Sequence, residues 1–227
     1  MADSSNETCL IPFKTPLCMS IYGASQAGKS KLLADLLFNI EKMFNPVPDR
    51  IILVYSIFQD IYEKLEGALG SRIQFVTTIP SAQELEDFYV QTGKSTLLAI
   101  DDGMSSLDNS HSGRNLLRIA SISSHHSSIT LVLILHSLFH DTSSAREVAL
   151  NSYVNILFGN NRNGGQIAKF ASQTMGDRRK FLLESYRQAT SRPYGYLVVD
   201  LSPNCNFKYA LRTCILPGED MRIYLPK

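Results

Sequence analysis

Residues 23–30 read Gly23-Ala24-Ser25-Gln26-Ala27-Gly28-Lys29-Ser30, a G-x-x-x-x-G-K-S pattern. In a fold this pattern demands a strand, a tight loop and a helix in that order. Both flanks comply. Residues 17–22 (Leu-Cys-Met-Ser-Ile-Tyr) are rich in apolar side chains, and residues 29–44 place Leu32, Leu33, Leu36, Leu37, Ile40, Met43 and Phe44 at helical spacing. Between them, the glycines let the backbone turn so that several N–H groups point inward, and the helix start adds its positive dipole end. Such a cradle takes the phosphates of a nucleoside triphosphate. Gly23, Ala24, Ser25, Gln26, Ala27 and Gly28 would supply the loop backbone. Lys29 would reach the β- and γ-phosphates, and the Ser30 hydroxyl would meet a Mg²⁺ ion. At ordinary residue frequencies the four fixed positions arise by chance in a chain this long roughly 1% of the time.

Composition bounds the rest. With 227 residues and 44% apolar side chains, the chain can build one full α/β core. The net charge of +1 gives no global basic bias, so any nucleic-acid contact must come from a local patch or a pore shared by several subunits. Cys9, Cys18, Cys205 and Cys214 show no C-x-x-C spacing, which argues against zinc and for reduced thiols in a cytosol-like compartment. No run approaches the length of a membrane span, and the polar start at residues 1–8 lacks the character of a signal peptide.

Along the chain, Asn45-Pro46-Val47-Pro48-Asp49 breaks the first helix, and strand-like runs follow at 50–55, 73–76, 95–100, 129–135, 153–158 and 195–201. Helices are expected at 57–69, 81–91, 116–121, 144–152, 165–175 and 178–190, with a strand pair through 207–215. Ser81, followed three residues later by Glu84, forms the sequence of a capping box. The stretch 103–113 is rich in Ser, Asn and Gly and reads as a loop. Continuous apolar strands alternating with helices predict a mostly parallel sheet covered on both faces. With no internal repeat or long linker, the expected organisation is an arm at 1–12, one domain at 13–217 and a tail at 218–227.

The strand at 95–100 runs into Asp101-Asp102, apolar residues followed by carboxylates in the manner of a Walker B strand. Ligands gather at the carboxyl ends of strands in open α/β sheets. Asp101 is therefore expected to hold the Mg²⁺ together with Ser30, since this hard ion takes oxygen ligands and keeps several waters. Asp102 is the candidate base for an attacking water. A whole strand intervenes between the loop strand and this strand in sequence, which favours the additional-strand class of P-loop NTPases over the nucleotide kinases. The strand at 129–135 then delivers His136 beside the γ-phosphate as a polar sensor.

Later blocks carry a resemblance. Ser124-His125-His126-Ser127-Ser128-Ile129-Thr130, Leu135-His136-Ser137-Leu138-Phe139-His140, and Arg146 with Ala149-Leu150-Asn151 stand in this order. They are followed by Val154-Asn155-Ile156-Leu157-Phe158-Gly159-Asn160-Asn161-Arg162-Asn163, Gln166-Ile167, residues 189–201 and residues 211–217. Together these blocks resemble the genome-packaging ATPases of Polinton/Maverick elements, adintoviruses and virophages, related to the poxvirus-type enzymes of the FtsK–HerA superfamily. The resemblance runs from about residue 13 to residue 217. It implies a homo-oligomeric ring that hydrolyses ATP with Mg²⁺ and threads double-stranded DNA into a preformed capsid. It also implies capsid or portal-vertex partners and a place in the virion and the host nucleus or cytoplasm. The family usually carries Gln where His136 stands and Asn at Ser137, so its γ-phosphate sensing departs from the family pattern here.

A ring motor needs a positive charge supplied across each subunit boundary to the transferring phosphoryl group. Arg162 and Arg146 are the candidates for that arginine finger. Adjacent His125 and His126 would point to opposite sides of extended backbone, which disfavours a shared metal site. DNA contact would be to phosphates and independent of sequence, with Arg114, Arg118, Arg178, Arg179 and Lys180 as candidate donors. A second reading stays open: an ATP-binding capsid-assembly or scaffold factor with little turnover, motivated by the altered sensor. A small-molecule kinase fits worse, lacking a recognisable arginine-rich lid.

Overall fold

The computed structural model describes residues 10–101, 110–123, 126–138, 148, 151–160, 164–203 and 205–226. The chain opens with a short strand, β1 (Phe13–Lys14), and the loop strand β2 (Cys18–Tyr22). Helix α1 (Lys29–Phe38), a single turn α2 (Ile40–Met43) and β3 (Phe44–Asn45) follow. Next come β4 (Arg50–Tyr55), α3 (Asp60–Leu69), β5 (Ile73–Val76), α4 (Ala82–Thr92), β6 (Thr96–Asp101) and α5 (Ser110–Arg118). The second half holds β7 (Ile129–Leu135), β8 (Val154–Phe158), α6 (Gly164–Met175) and α7 (Arg179–Ala189). It closes with β9 (Tyr196–Asp200), β10 (Leu211–Thr213) and β11 (Arg222–Ile223).

Among the described residues one nine-stranded sheet runs in the order β11-β10-β9-β8-β2-β7-β6-β4-β5, while β1 pairs in parallel with β3. The strands from β8 to β5 are all parallel, and β9, β10 and β11 reverse direction in turn at the other edge. This is the expected mostly parallel α/β fold with antiparallel C-terminal strands. The strand that separates the loop strand from the strand ending at Asp101 is β7, which comes later in the chain; β4, which intervenes in sequence, lies on the far side of β6.

Each central strand is buried along its whole length, and its alternating side chains serve two separate cores. Met19 and Ile21 of β2 meet Leu32, Leu33, Leu36 and Leu37 of α1 and Tyr62 and Leu65 of α3 on one face. Cys18 and Tyr22 point to the other, where Leu85, Leu116, Ile167, Phe170, Leu182 and Tyr186 of α4–α7 lie. Burying each such leucine contributes about 1.5–3 kcal/mol. Burial pushes the Cys18 thiol up from 9.0 to about 11, against the opposing hydrogen bond from Ser152, so it remains an inert core thiol.

Four expectations change, the first being that residues 110–113, read as the end of a loop, open helix α5. The helix drawn over 29–44 stops at Asn39, whose backbone N–H and side-chain amide both donate to the Asp35 carbonyl and close the last turn. Phe44 is then extended and pairs with Phe13, with ring centroids 6.0 Å apart. The helix expected from residue 57 begins at Asp60, leaving Ile57 and Phe58 exposed. Residues 207–209 form a 3-10 turn capped by Asn206 in place of a strand, so β10 is short and pairs with β9 and β11. The capping box at Ser81 and Glu84 forms as expected. Asp102, His125, His140, Arg146 and Arg162, most of the loop at 103–113 and most of the helix expected at 144–152 lie outside the described residues. No helix among the described residues is long and apolar enough to cross a membrane.

The reversed strands are locked by a buried ion pair. Arg212, fully buried on β10, donates to Asp200 Oδ2 at 3.0 Å and to the Tyr209 carbonyl at 2.7 Å. The other carboxylate oxygen of Asp200 accepts from the Ser202 backbone N–H and hydroxyl. Removing one partner of such a pair strands a buried charge, at a cost of about 3–5 kcal/mol. Asp200→Ala should therefore lose about 3–5 kcal/mol of unfolding free energy in urea titrations, and a loss under about 1 kcal/mol would show the pair to be inessential.

Candidate active site

The carboxyl ends of β4, β6, β7 and β2 open onto one edge of the sheet, because parallel pairing aligns Tyr55 with Asp101 and Tyr22 with Leu135. The loop between β2 and α1 starts there. The Gly23 N–H donates to the Leu135 carbonyl at 3.3 Å, tying the loop to the end of β7. Gly23 is pressed against β8: a Cβ added to it would lie 2.7 Å from that of Phe158, so no larger residue fits without displacing that strand. Gln26 and Gly28 adopt left-handed φ angles of 63° and 99°, and Gly28 is the residue that precedes α1. Its carbonyl receives the first helical hydrogen bond, from Leu32 at 2.9 Å.

Lys29 is buried, and its ammonium donates to the carbonyls of Gly23 at 3.0 Å and Ala24 at 2.8 Å. The charge is thereby held inside the curl of the loop rather than in solvent. One residue on, the Ser30 hydroxyl donates to Asp101 Oδ1 at 3.1 Å, across the width of β7. The structure thus brings together Lys29, Ser30 and Asp101, which lie 71 residues apart in sequence at their extremes that bond. The buried carboxylate of Asp101 has further partners. Tyr62 from α3 donates its hydroxyl to Oδ2 at 2.5 Å, and Gln59 donates its amide to the same oxygen at 3.4 Å. One carboxylate oxygen is therefore fixed by α3 while the other faces Ser30.

Two hard oxygens, a hydroxyl and a carboxylate, converging beside a phosphate-binding loop fit Mg²⁺ well. Among the described residues no cluster of three or more His, Cys, Asp or Glu side chains could hold a metal.

His136 follows β7 and is half-buried beside Tyr22, Gly23, Asn160 and Gln166, in a crevice next to the loop. Its neighbour Ser137 donates to Gln166 Oε1 of α6 at 3.2 Å, and the Leu138 N–H donates to the same oxygen at 3.2 Å. The end of β8 is clamped by Tyr186 of α7, which donates to the Phe158 carbonyl at 3.0 Å and accepts from the Asn160 N–H at 3.1 Å. Burial holds that phenol above its ordinary pKa, against the opposing Asn160 hydrogen bond, so it remains a donor.

Of the candidate DNA donors, Arg118 is engaged with Glu86 at 2.7 Å, and the Arg178 guanidinium lies 4.6 Å from the centre of the Phe207 ring. Arg114, Arg178, Arg179 and Lys180 are exposed. Sequence reasoning did not find Tyr62, Gln59, Phe158 or Tyr186 as parts of this site. Their spacing along α3, β8 and α7 looks like ordinary core packing, and only the hydroxyl of Tyr62 on a buried apolar face hinted that something polar must lie opposite.

No protein-family model matches the sequence, and no curated protein does. Solved structures do share the fold. One is the genome-packaging NTPase B204 of Sulfolobus turreted icosahedral virus 2 in complex with ATP-gammaS. It is 14% identical, covered over 92% of this chain and 97% of its own, with a TM-score of 0.56. The DNA-packaging ATPase B204 of Sulfolobus turreted icosahedral virus is 15% identical over the same shares, with a TM-score of 0.57. The cytoplasmic domain of the type VII secretion ATPase EccC of Thermomonospora curvata is 12% identical with a TM-score of 0.51; it covers 83% of this chain, which spans 24% of that one.

Tyr62→Phe removes the closest donor to a buried carboxylate while keeping the ring. A hydrogen bond to a charged group contributes about 1.5–3 kcal/mol, so Tyr62→Phe should lower unfolding free energy by about that much in urea titrations. Stability equal to that of the parent would mean that Asp101 does not depend on α3.

Proposed function

We propose that this protein is an ATP-hydrolysing motor of the FtsK–HerA type that drives double-stranded DNA into a preformed viral capsid. The observation that carries the reading is the approach of Ser30 to Asp101 beside the buried ammonium of Lys29, with β7 interposed between their strands. The fold shared with B204, solved as a packaging NTPase, supports it.

In this reading the triphosphate lies on the backbone N–H groups of residues 24–30, and Lys29 exchanges the carbonyls of Gly23 and Ala24 for phosphate oxygens. Bound between Ser30 and Asp101, Mg²⁺ would neutralise charge on the β- and γ-phosphates. Tyr62 and Gln59 keep Asp101 in one orientation, so that the Oδ1 face is turned to Ser30 at no further ordering cost. Asp102 accepts the proton of a water attacking the γ-phosphorus; ADP leaves and inorganic phosphate forms. In this reading His136, at the carboxyl end of β7, senses the γ-phosphate, and the adjoining contacts of Ser137 and Leu138 with Gln166 couple its departure to α6.

Charge on the transferring group is completed across a subunit boundary by Arg162, or by Arg146, in a homo-oligomeric ring. The ring grips DNA phosphates through exposed basic residues such as Arg114, Arg179 and Lys180, without reading bases. Capsid or portal-vertex proteins are its docking partners, in the virion and the infected cell. The Polinton, adintovirus and virophage type is the branch its later sequence blocks favour.

A second reading, an ATP-binding capsid-assembly factor with little turnover, is favoured by one feature: the family's Gln-Asn pair is replaced by His136 and Ser137, with Ser137 bonded to Gln166. ATP hydrolysis by the purified protein with and without linear duplex DNA separates the two. The motor requires DNA-stimulated turnover, and none at any DNA length leaves only the assembly factor. Lys29→Ala should abolish nucleotide binding or turnover. Asp102→Asn should bind ATP normally yet hydrolyse it about 10²–10⁴-fold more slowly, the usual range for a lost general base; unaltered hydrolysis would remove Asp102 from that role. Arg162→Ala should bind ATP as the parent does but lose about 10³-fold or more in turnover once assembled, measured on size-selected rings.

A further inference from the structure

Beside the phosphate loop, on the side away from Asp101, lies a cavity of about 570 Å³. Its walls are the loop itself (Ala24, Ser25 and Ala27), the end of β8 and the turn that joins α7 to β9. We propose that this cavity is the nucleoside site, taking the base and ribose of the nucleotide whose phosphates lie on the loop, with Tyr194 as the stacking face. The inference rests on the phosphate-loop reading and adds to it a ligand half, a location and a stacking residue.

Four observations point there. The volume falls in the range of small-ligand sites, about 300–1,000 Å³, and one wall is the loop backbone, so a ligand held in the cavity is continuous with one held on the loop. Tyr194 sits at the rim, 72% exposed, and its ring edge touches the loop: a Cβ placed on Gly28 would lie 3.3 Å from Tyr194 Cδ1.

The backbone around Tyr194 is also over-determined. Tyr194 adopts a left-handed φ of 58°, unusual for a bulky residue and associated with binding sites when the surroundings enforce it. The enforcement is visible. Gly195 donates to the Arg192 carbonyl at 3.0 Å, and its own carbonyl accepts from Gly159 N–H at 3.2 Å. A Cβ on Gly195 would fall 2.4 Å from the Ala189 carbonyl oxygen, so only glycine fits and the turn cannot relax. The backbone that carries this exposed aromatic ring is thus fixed in place beside the loop.

Finally, the described lining offers the polar side chains of Arg192, Asn160 and Thr190 to a ribose or a base. Stacking on a ring face tolerates any base, so Tyr194 supplies affinity for a nucleoside and not a choice among bases.

The experiment compares two probes by isothermal titration with Mg²⁺: ATP, and inorganic tripolyphosphate, which has the phosphates without the nucleoside. Tyr194→Ala should weaken ATP about tenfold, the typical loss for one base–aromatic stack, while tripolyphosphate affinity stays at the parent value. Tyr194→Phe, which keeps the ring and shares the same backbone angle, should hold ATP within about threefold of the parent. If Tyr194→Ala binds ATP as the parent does, or weakens both probes equally, the nucleoside site is elsewhere. A parent protein that binds both probes while Tyr194→Ala is indifferent overturns this inference alone. One that binds neither overturns the phosphate-loop reading and this inference with it.

Discussion

Parallel pairing of β2, β7, β6 and β4 is the constraint on which the rest of the molecule depends. In a parallel sheet every strand ends on the same edge, so loops far apart in sequence are gathered side by side. The register does this residue by residue: Tyr22 opposes Leu135, Ile100 opposes Leu133 and Tyr55 opposes Asp101. The loop after β2, the carboxylate closing β6 and His136 after β7 share that edge for this reason alone. Because each of these strands is buried on both faces, a slip of one residue would exchange its two sets of side chains between the two cores. The geometry of the site is therefore guarded by packing well away from it.

Electrostatics within the site are arranged by local partners. The ammonium of Lys29 is buried, and its position is set by two loop carbonyls. A buried cation without such acceptors would be costly. Asp101 is likewise buried, and Tyr62 of α3 and Gln59, just before that helix, answer it with a phenol and an amide. That leaves Oδ1 directed at Ser30, so the two oxygens suited to a hard cation are already adjacent. Orientation of this kind lowers the ordering cost of binding.

Much of this was legible in the sequence. The loop stood out because its glycines and lysine have fixed spacing, and Asp101 because a carboxylate ended an apolar strand. The alternation of buried strands and amphipathic helices gave the fold class. Other features were not legible. The helix over 29–44 has an unbroken apolar pattern, yet Asn39 closes it by donating to the Asp35 carbonyl, and Phe44 pairs in extended form with Phe13. The role of Tyr62 on α3 was not legible, because helical spacing reports burial and not what a buried hydroxyl meets. The interposed strand was expected from chain order, but the strand that occupies the place is β7 and not β4.

What the sequence determined by itself was the local chemistry: a loop able to wrap phosphates, a helix to carry it and a carboxylate at the end of a buried strand. These follow from periodicity and from the few backbone angles that glycine and its neighbours allow. Only the tertiary structure decided which of those pieces meet. Strand order and register are products of long-range packing, which no local pattern encodes, and they set Ser30 against Asp101, α3 against its second oxygen and the rigid turn at Tyr194 against the loop.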